Sequence, residues 1–167
     1  PRWDAQIRAA VSGRIDEVFE AALSGNRVTA GTPLFAIERV QFETGVAEAE
    51  ATLEQARLTH LQALNDAAIA ERQFQRDSVE APNELAWKLP QLRIAARNLS
   101  AAETRLEAAR RQLADTEVVA PFSGFVTERM ASLGQTVTAG EALLHLSDDQ
   151  RFELVASLSQ AEWSMLQ

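Results

Sequence analysis

Cysteine is absent from this 167-residue chain, and disulfides, thiolate metal sites and cysteine nucleophiles are absent with it. A thiol-free chain suits a compartment where stray thiols are a liability. Lysine is nearly missing as well, Lys88 being the only one. No apolar run approaches the ~20 residues that a membrane-spanning helix requires. The chain opens on Pro1, Arg2, Trp3 and Asp4, with neither an initiator Met nor a signal-like apolar stretch, and is expected to be an excerpt of a longer protein. Basic stripes are also lacking: the formal net charge is −8 and no arginine run is long, which argues against a nucleic-acid partner.

Reactive side chains are equally scarce. His60 and His145 are the two histidines, and without cysteine a zinc site would have to rest on carboxylates. His60 falls in an alanine-rich stretch and His145 at a strand end, so both are read as packing residues. Asp148-Asp149 reads as a turn, because adjacent residues of a strand or turn point apart and make a poor acid–base pair. Ser123-Gly124 has no nucleophile-elbow context, and there is no glycine-rich phosphate loop. No catalytic, metal or cofactor residue is assigned, and the chain is expected not to be an enzyme. At 46% hydrophobic residues, it nevertheless has material for one respectable core or two small ones.

What is present is a repeat. Residues 12–37 read SGRIDEVFEAALSGNRVTAGTPLFAI, and residues 123–146 read SGFVTERMASLGQTVTAGEALLHL. Ser12-Gly13 answers Ser123-Gly124, Ile15 answers Val126, Gly25 answers Gly134, Val28 answers Val137 and Gly31 answers Gly140. Leu34 and Ile37 answer Leu143 and Leu146. The first copy carries two extra residues between its first two glycines. Each copy reads as short strands separated by turns, with Gly13, Gly25, Gly31, Gly124, Gly134 and Gly140 as the turn glycines. Gly31 and Gly140 sit where a tight turn needs a positive φ. Neither half could form a core alone, so one β domain from residues 1–42 and 117–147 is expected.

Between the copies the period changes. A leucine recurs every seventh residue at Leu85, Leu92, Leu99, Leu106 and Leu113, with Ala95, Ala102 and Ala109 at the complementary positions. Upstream, Val46, Ala49, Leu53, Ala56, His60, Ala63, Ala67, Ala70 and Phe74 keep the same 3–4 spacing. Residues 43–116 are therefore expected to form an antiparallel helical hairpin, with Leu53, Phe74 and the leucines as its seam. Two helices of about 33 residues would each be about 50 Å long at 1.5 Å per residue. Glu43, Glu48 and Glu50 near the start of the first helix, and Arg110 and Arg111 near the end of the second, suit the helix dipoles. Glu54 with Arg57, and Glu107 with Arg110 and Arg111, are expected surface pairs. Asn83 is a candidate cap for the second helix. Pro90 either opens that helix or kinks one begun near Asn83; the unbroken leucine phase favours the kink. The apolar residues Val79, Leu85, Trp87 and Leu89 either contact a partner or fold back to cap the hairpin.

With the split repeat and inserted hairpin in hand, the chain resembles the periplasmic membrane fusion proteins, adaptor subunits of tripartite efflux pumps, of the RND type. IRAAVSGRIDEVFEAALSGNRVTAGTPLFAI looks like the first half of their lipoyl, or barrel-sandwich hybrid, domain. VVAPFSGFVTERMASLGQTVTAGEALLHL looks like the second half, and RFELVASLSQAEWSMLQ resembles the opening of the β-barrel domain that follows. The implied fold is α+β: a split lipoyl-like domain (1–42 and 117–147), an inserted α-helical hairpin (43–116) and the beginning of a β-barrel (148–167). The resemblance implies a periplasmic protein tethered to the inner membrane, assembled into a ring, commonly a hexamer, between an inner-membrane transporter and a TolC-type outer-membrane channel. It places the channel-facing tip at residues 76–88 and implies partner contacts at Arg76, Ser78, Val79, Glu84, Leu85, Trp87, Lys88 and Leu89. Many relatives have a Gly, a small apolar residue and a Ser ahead of a Glu-Leu pair. This chain keeps Arg76, Glu84 and Leu85 but has Ser78 where Gly is common and Ala81, then Pro82, where the Ser is expected.

Three other readings compete with this one. One is an adaptor of an ABC-type or secretion system, and another is a stand-alone coiled-coil scaffold. The third is a biotin or lipoate carrier, which would place a modifiable lysine between the two half-repeats. Here the hairpin fills that junction and Lys88 lies in AWKLP near its tip.

Overall fold

The structure, a computed structural model, describes residues 4–77 and 83–148. Residues 39–116 form one compact unit, and the described residues on either side form the other. The tail that resembles the start of a β-barrel lies outside the described residues, as do the candidate tip residues Ser78 and Val79.

The β unit holds strands β1 (Asp4–Arg8), β2 (Gly13–Val18), β3 (Arg27–Val28) and β4 (Pro33–Ile37) from the first copy. The second copy supplies β5 (Glu117–Val119), β6 (Gly124–Arg129), β7 (Thr136–Val137) and β8 (Ala142–Asp148). Two four-stranded sheets result, ordered β1-β8-β6-β3 and β5-β4-β2-β7. Each sheet takes two strands from each copy, and exchanging the copies turns one order into the other. The halves are thus interleaved rather than laid side by side, which is why neither could bury its apolar face alone. Ile15, Leu34, Phe35 and Ile37 from the first copy and Val126, Val137, Leu143 and Leu146 from the second are buried together. Each such side chain contributes about 1.5–3 kcal/mol through burial.

The two VTAG loops are tied across the repeat by matching bonds. The amide of Ala30 donates to Ser123 Oγ (3.1 Å), and that of Ala139 donates to Ser12 Oγ (2.9 Å). Gly31 N–H donates to the Ala120 carbonyl and Gly140 N–H to the Ala9 carbonyl, both at 2.7 Å. Gly31 and Gly140 adopt φ of +83° and +90°, as their turn positions require. The two extra residues of the first copy are taken up by a 3-10 turn, Glu20–Ala22. Gly13 and Gly124 are corrections: each opens a strand rather than a turn. At Gly124 the reason is space, because a Cβ there would overlap the Ser147 carbonyl oxygen of β8. Asp148 is another correction, since it ends β8 paired with Gly124 instead of opening a turn.

The hairpin unit consists of α1 (Val40–Asp77) and α2 (Leu89–Ala114), of 38 and 26 residues in place of two near-equal helices. α1 starts three residues ahead of the expected position. The amides of Phe42 and Glu43 both bond the Arg39 carbonyl, and Arg39 faces Glu43 one turn on at 3.7 Å. α2 starts later than its leucine phase suggests. Pro90 occupies its first turn, where a missing N–H costs nothing, and the helix is not kinked there. Leu85 accordingly lies ahead of α2, 59% exposed, and is not a seam residue. Leu53, Ala102 and Leu106 form the buried centre of the seam, with Val46, Ala49, Ala56 and Leu99 packed against them. Arg57 pairs with Glu54 (2.7 Å) and Arg111 with Glu107 (3.7 Å), but Arg110 crosses to Glu50 on the other helix at 2.8 Å.

Two positions of α1 carry removable costs. Gly45 lies inside α1 with nothing within 4 Å of a built Cβ. Gly45→Ala should therefore stabilise the hairpin by about 0.5–1 kcal/mol, read as a higher melting temperature of the helical circular dichroism signal. His60 sits half-buried on the seam, and its Nδ1 is buried with no hydrogen-bond partner in the protein. His60→Leu should add about 1 kcal/mol or more in the same measurement.

Candidate functional site

The tip of the hairpin is built from the last turn of α1, the segment Asn83–Lys88 and the first turn of α2. Asn83 does not cap α2. Its Oδ1 accepts from the Ala86 amide at 3.1 Å and its carbonyl accepts from the same amide at 3.2 Å, closing a turn ahead of the helix. Lys88 N–H bonds the Leu85 carbonyl (3.1 Å) and Leu89 N–H bonds the Glu84 carbonyl (3.3 Å). Lys88, the residue preceding α2, has φ 59° and ψ 15° and is the one non-glycine residue with positive φ among the described residues. A side-chain-bearing residue held in this region costs of order 1–3 kcal/mol, and such strain concentrates at functional sites.

Side chains then pin the turn to the helices. Trp87 is half-buried against Phe74 of α1, ring centroids 5.3 Å apart and tilted by 46°. Glu84 Oε2 accepts from Arg93 of α2 at 2.5 Å. The exposed ion pair is worth little by itself, but it orients the turn backbone. Of the apolar tip residues, Trp87 folds back, whereas Leu85 and Leu89 stay exposed at 59% and 40%. Arg76 lies in the last turn of α1. The expected tip residues Arg76, Glu84, Leu85, Trp87, Lys88 and Leu89 thus fall on one end of the hairpin. Sequence reading missed Arg93, nine residues from its partner, and the left-handed backbone of Lys88, which no residue-type signal announced.

The described residues contain no group of three His, Cys, Asp or Glu that could hold a metal ion, and none of their helices is long and apolar enough to cross a membrane. Leu85 and Leu89 supply apolar contact and Arg76 and Lys88 supply positive charge, a combination suited to protein recognition.

The strand order and inserted hairpin correspond to a known pattern. The sequence profile described as a CzcB-like, barrel-sandwich hybrid domain matches residues 4–148. The chain belongs to this barrel-sandwich hybrid family. Within that kinship, the uncharacterized protein YdhJ of Escherichia coli K12 is 29% identical over 167 residues, which cover 95% of this chain and 57% of YdhJ. The macrolide export protein MacA of Escherichia coli O157:H7 is 28% identical over 172 residues, 93% of this chain and 46% of MacA. The chain spans about half the length of these relatives. In fold, the barrel-sandwich hybrid unit with its hairpin is similar to the crystal structure of a MacA–MexA chimera containing the Pseudomonas aeruginosa MexA α-hairpin domain. That match has a TM-score of 0.65 at 22% identity and covers 87% of this chain and 48% of the chimera. The split β domain with an inserted helical hairpin expected from the repeat is therefore the family architecture.

Proposed function

We propose that this chain is the hairpin-bearing part of a non-enzymatic periplasmic adaptor, tethered to the inner membrane, which links an inner-membrane transporter to a TolC-type outer-membrane channel. The hairpin tip docks the channel, and copies assemble into a ring, a hexamer in the commonest arrangement, that guides small molecules outward. The observation that carries this reading is the tip. Two exposed leucines, Leu85 and Leu89, are held on a turn fixed by the Trp87–Phe74 contact, the Glu84–Arg93 pair and the strained Lys88. Kinship with an export protein supports the placement in an efflux system.

The test is export in cells that depend on the protein. Leu85→Asp combined with Leu89→Asp places charge on the docking patch without touching the seam. Losing such anchors costs about 2 kcal/mol or more in binding, about 30-fold in affinity, and should abolish the export phenotype at unchanged protein level. Wild-type export by this variant would overturn tip docking. Affinity capture of the inner-membrane partner decides between an RND-type and an ABC-type transporter. A carrier, by contrast, would show a biotinyl or lipoyl adduct on Lys88 in the intact mass.

A further inference from the structure

The two flanks of the helical seam differ in chemistry. On one flank Glu50 meets Arg110 (2.8 Å) and Glu54 meets Arg57 (2.7 Å), and these pairs occupy the walls of the hollow beside Leu53 and Leu106. The other flank holds two adjoining cavities of about 530 and 340 Å³, which share Thr59 and Asn98. Alanine forms their floor, Ala56 and Ala102 in the first and Ala63 and Ala95 in the second. Their walls carry four exposed side-chain amides, Gln55, Gln62, Gln91 and Asn98. None of these amides has a hydrogen-bond partner among the described residues.

The amides recur at a fixed interval. Gln55 and Gln62 stand seven residues apart on α1, and Gln91 and Asn98 stand seven apart on α2, about 10.5 Å in each case at 1.5 Å per residue. Gln62 and Asn98 line the same cavity from facing helices, so the two intervals run end to end. The groove thus presents amides at three levels over about 21 Å. Each amide offers two N–H donors and a carbonyl acceptor.

This spacing discriminates among polymers. A helix bonds its own backbone groups and would meet the amides with side chains alone. An extended peptide exposes its backbone, but its side-chain pattern repeats every two residues, about 6.6 Å, out of step with the amides. An extended glycan of β-linked N-acetylated amino sugars carries hydroxyl and acetamido groups along its length, and its two-sugar repeat is close to the interval between the amides. Of the charged side chains that line the two cavities, Arg105 and Lys88 are cationic and Asp66 is anionic, a balance that favours a strand bearing carboxylates.

We infer that this groove binds the glycan strand of the cell wall, in which N-acetylated amino sugars alternate with their lactyl-carboxylate derivatives. The inference rests on the periplasmic placement in the adaptor reading, where such a strand is within reach, and adds a partner to it. The purified chain is titrated with a fluorescently labelled cell-wall tetrasaccharide, about the length that the three levels span, and binding is read from the anisotropy of the label. The corresponding disaccharide should bind about tenfold more weakly or worse, as should the double variant Gln62→Ala with Asn98→Ala at unchanged helical circular dichroism. Glu54→Ala with Arg57→Ala, on the ion-paired flank, should bind as the parent does. An uncharged tetramer of N-acetylglucosamine should bind more weakly than the cell-wall tetrasaccharide, and Arg105→Gln or about 1 M salt should narrow that difference. No binding by the folded chain would overturn the inference, and so would equal binding by the Gln62→Ala, Asn98→Ala variant, by the disaccharide or by the neutral tetramer. Every variant leaves the tip untouched, so this result and channel docking through Leu85 and Leu89 stand or fall separately.

Discussion

Gly124→Val should unfold the β unit, lowering its stability by about 3 kcal/mol or more, while the hairpin stays helical. The φ of Gly124 is not positive, so the need for glycine there is one of space. All three nearest neighbours of a built Cβ are backbone atoms of β8: the Ser147 oxygen, the Ser147 carbon and the Asp148 Cα. A side chain could rotate away, but this backbone cannot. β8 is an inner strand, laddered to β1 on one side and β6 on the other, and any shift that admits Val breaks both sets of pairs. A domain with a total stability of 5–15 kcal/mol has little margin for that loss. Urea titration should show a lower midpoint for the sheet signal, with the helical ellipticity at 222 nm melting as in the parent. An unchanged sheet midpoint would refute the close approach.

Leu106→Asp should have the complementary effect. Leu106 is 7% exposed at the centre of the seam, with Leu53 and Ala102. The seam is otherwise mostly alanine, so the few leucines carry a large share of the buried apolar area. Replacing one by a carboxylate removes about 2–5 kcal/mol of packing and puts a charge against the apolar side chains of Leu53 and Ala102. The helical signal should fall by more than half at 25 °C, while the sheet retains its native urea midpoint. Leu58→Asp, on the outer face, should leave the helical signal intact.

Much of this architecture was legible because it rests on periodicity. The Ser-Gly, Val-Thr-Ala-Gly and Leu-x-x-Ile/Leu matches disclosed a duplication, and the 3–4 spacing from Val46 to Phe74 disclosed a helix whose half-buried and buried positions over that span are those same residues together with Ala68. The interleaving of the copies was not legible. Which sheet β3 or β7 joins depends on contacts about a hundred residues apart, such as Arg27 with Phe125 and Arg14 with Thr136, and no local pattern encodes them. The start of α2 was misread because the leucine phase continues through Leu85. Pro90 in a first helical turn and a left-handed Lys88 override that phase. At the candidate site, sequence placed the leucines and Trp87 at the tip but could not divide them. Trp87 finds the ring of Phe74 and is withdrawn, whereas Leu85 and Leu89 have no such partner and remain exposed.

The charge polarity of the hairpin lay open in the sequence but acquires meaning only with the structure. A net −8 reads as a solvated acidic chain until the charges are divided between α1, net −4, and α2, net +3. The same holds for Ser12 and Ser123. In the sequence they are only matching positions of the repeat, whereas in the structure each closes the turn of the other copy.

The adaptor reading is tested most directly by photocross-linking in living cells, with a benzophenone amino acid placed at Leu85 and, as a control, at Leu133 of the β unit, which is 66% exposed. Irradiation should join the Leu85 position to an outer-membrane channel of the TolC type and the Leu133 position to none. If Leu85 captures no outer-membrane protein while the same cells still export through the system, the tip does not dock a channel and the central claim fails.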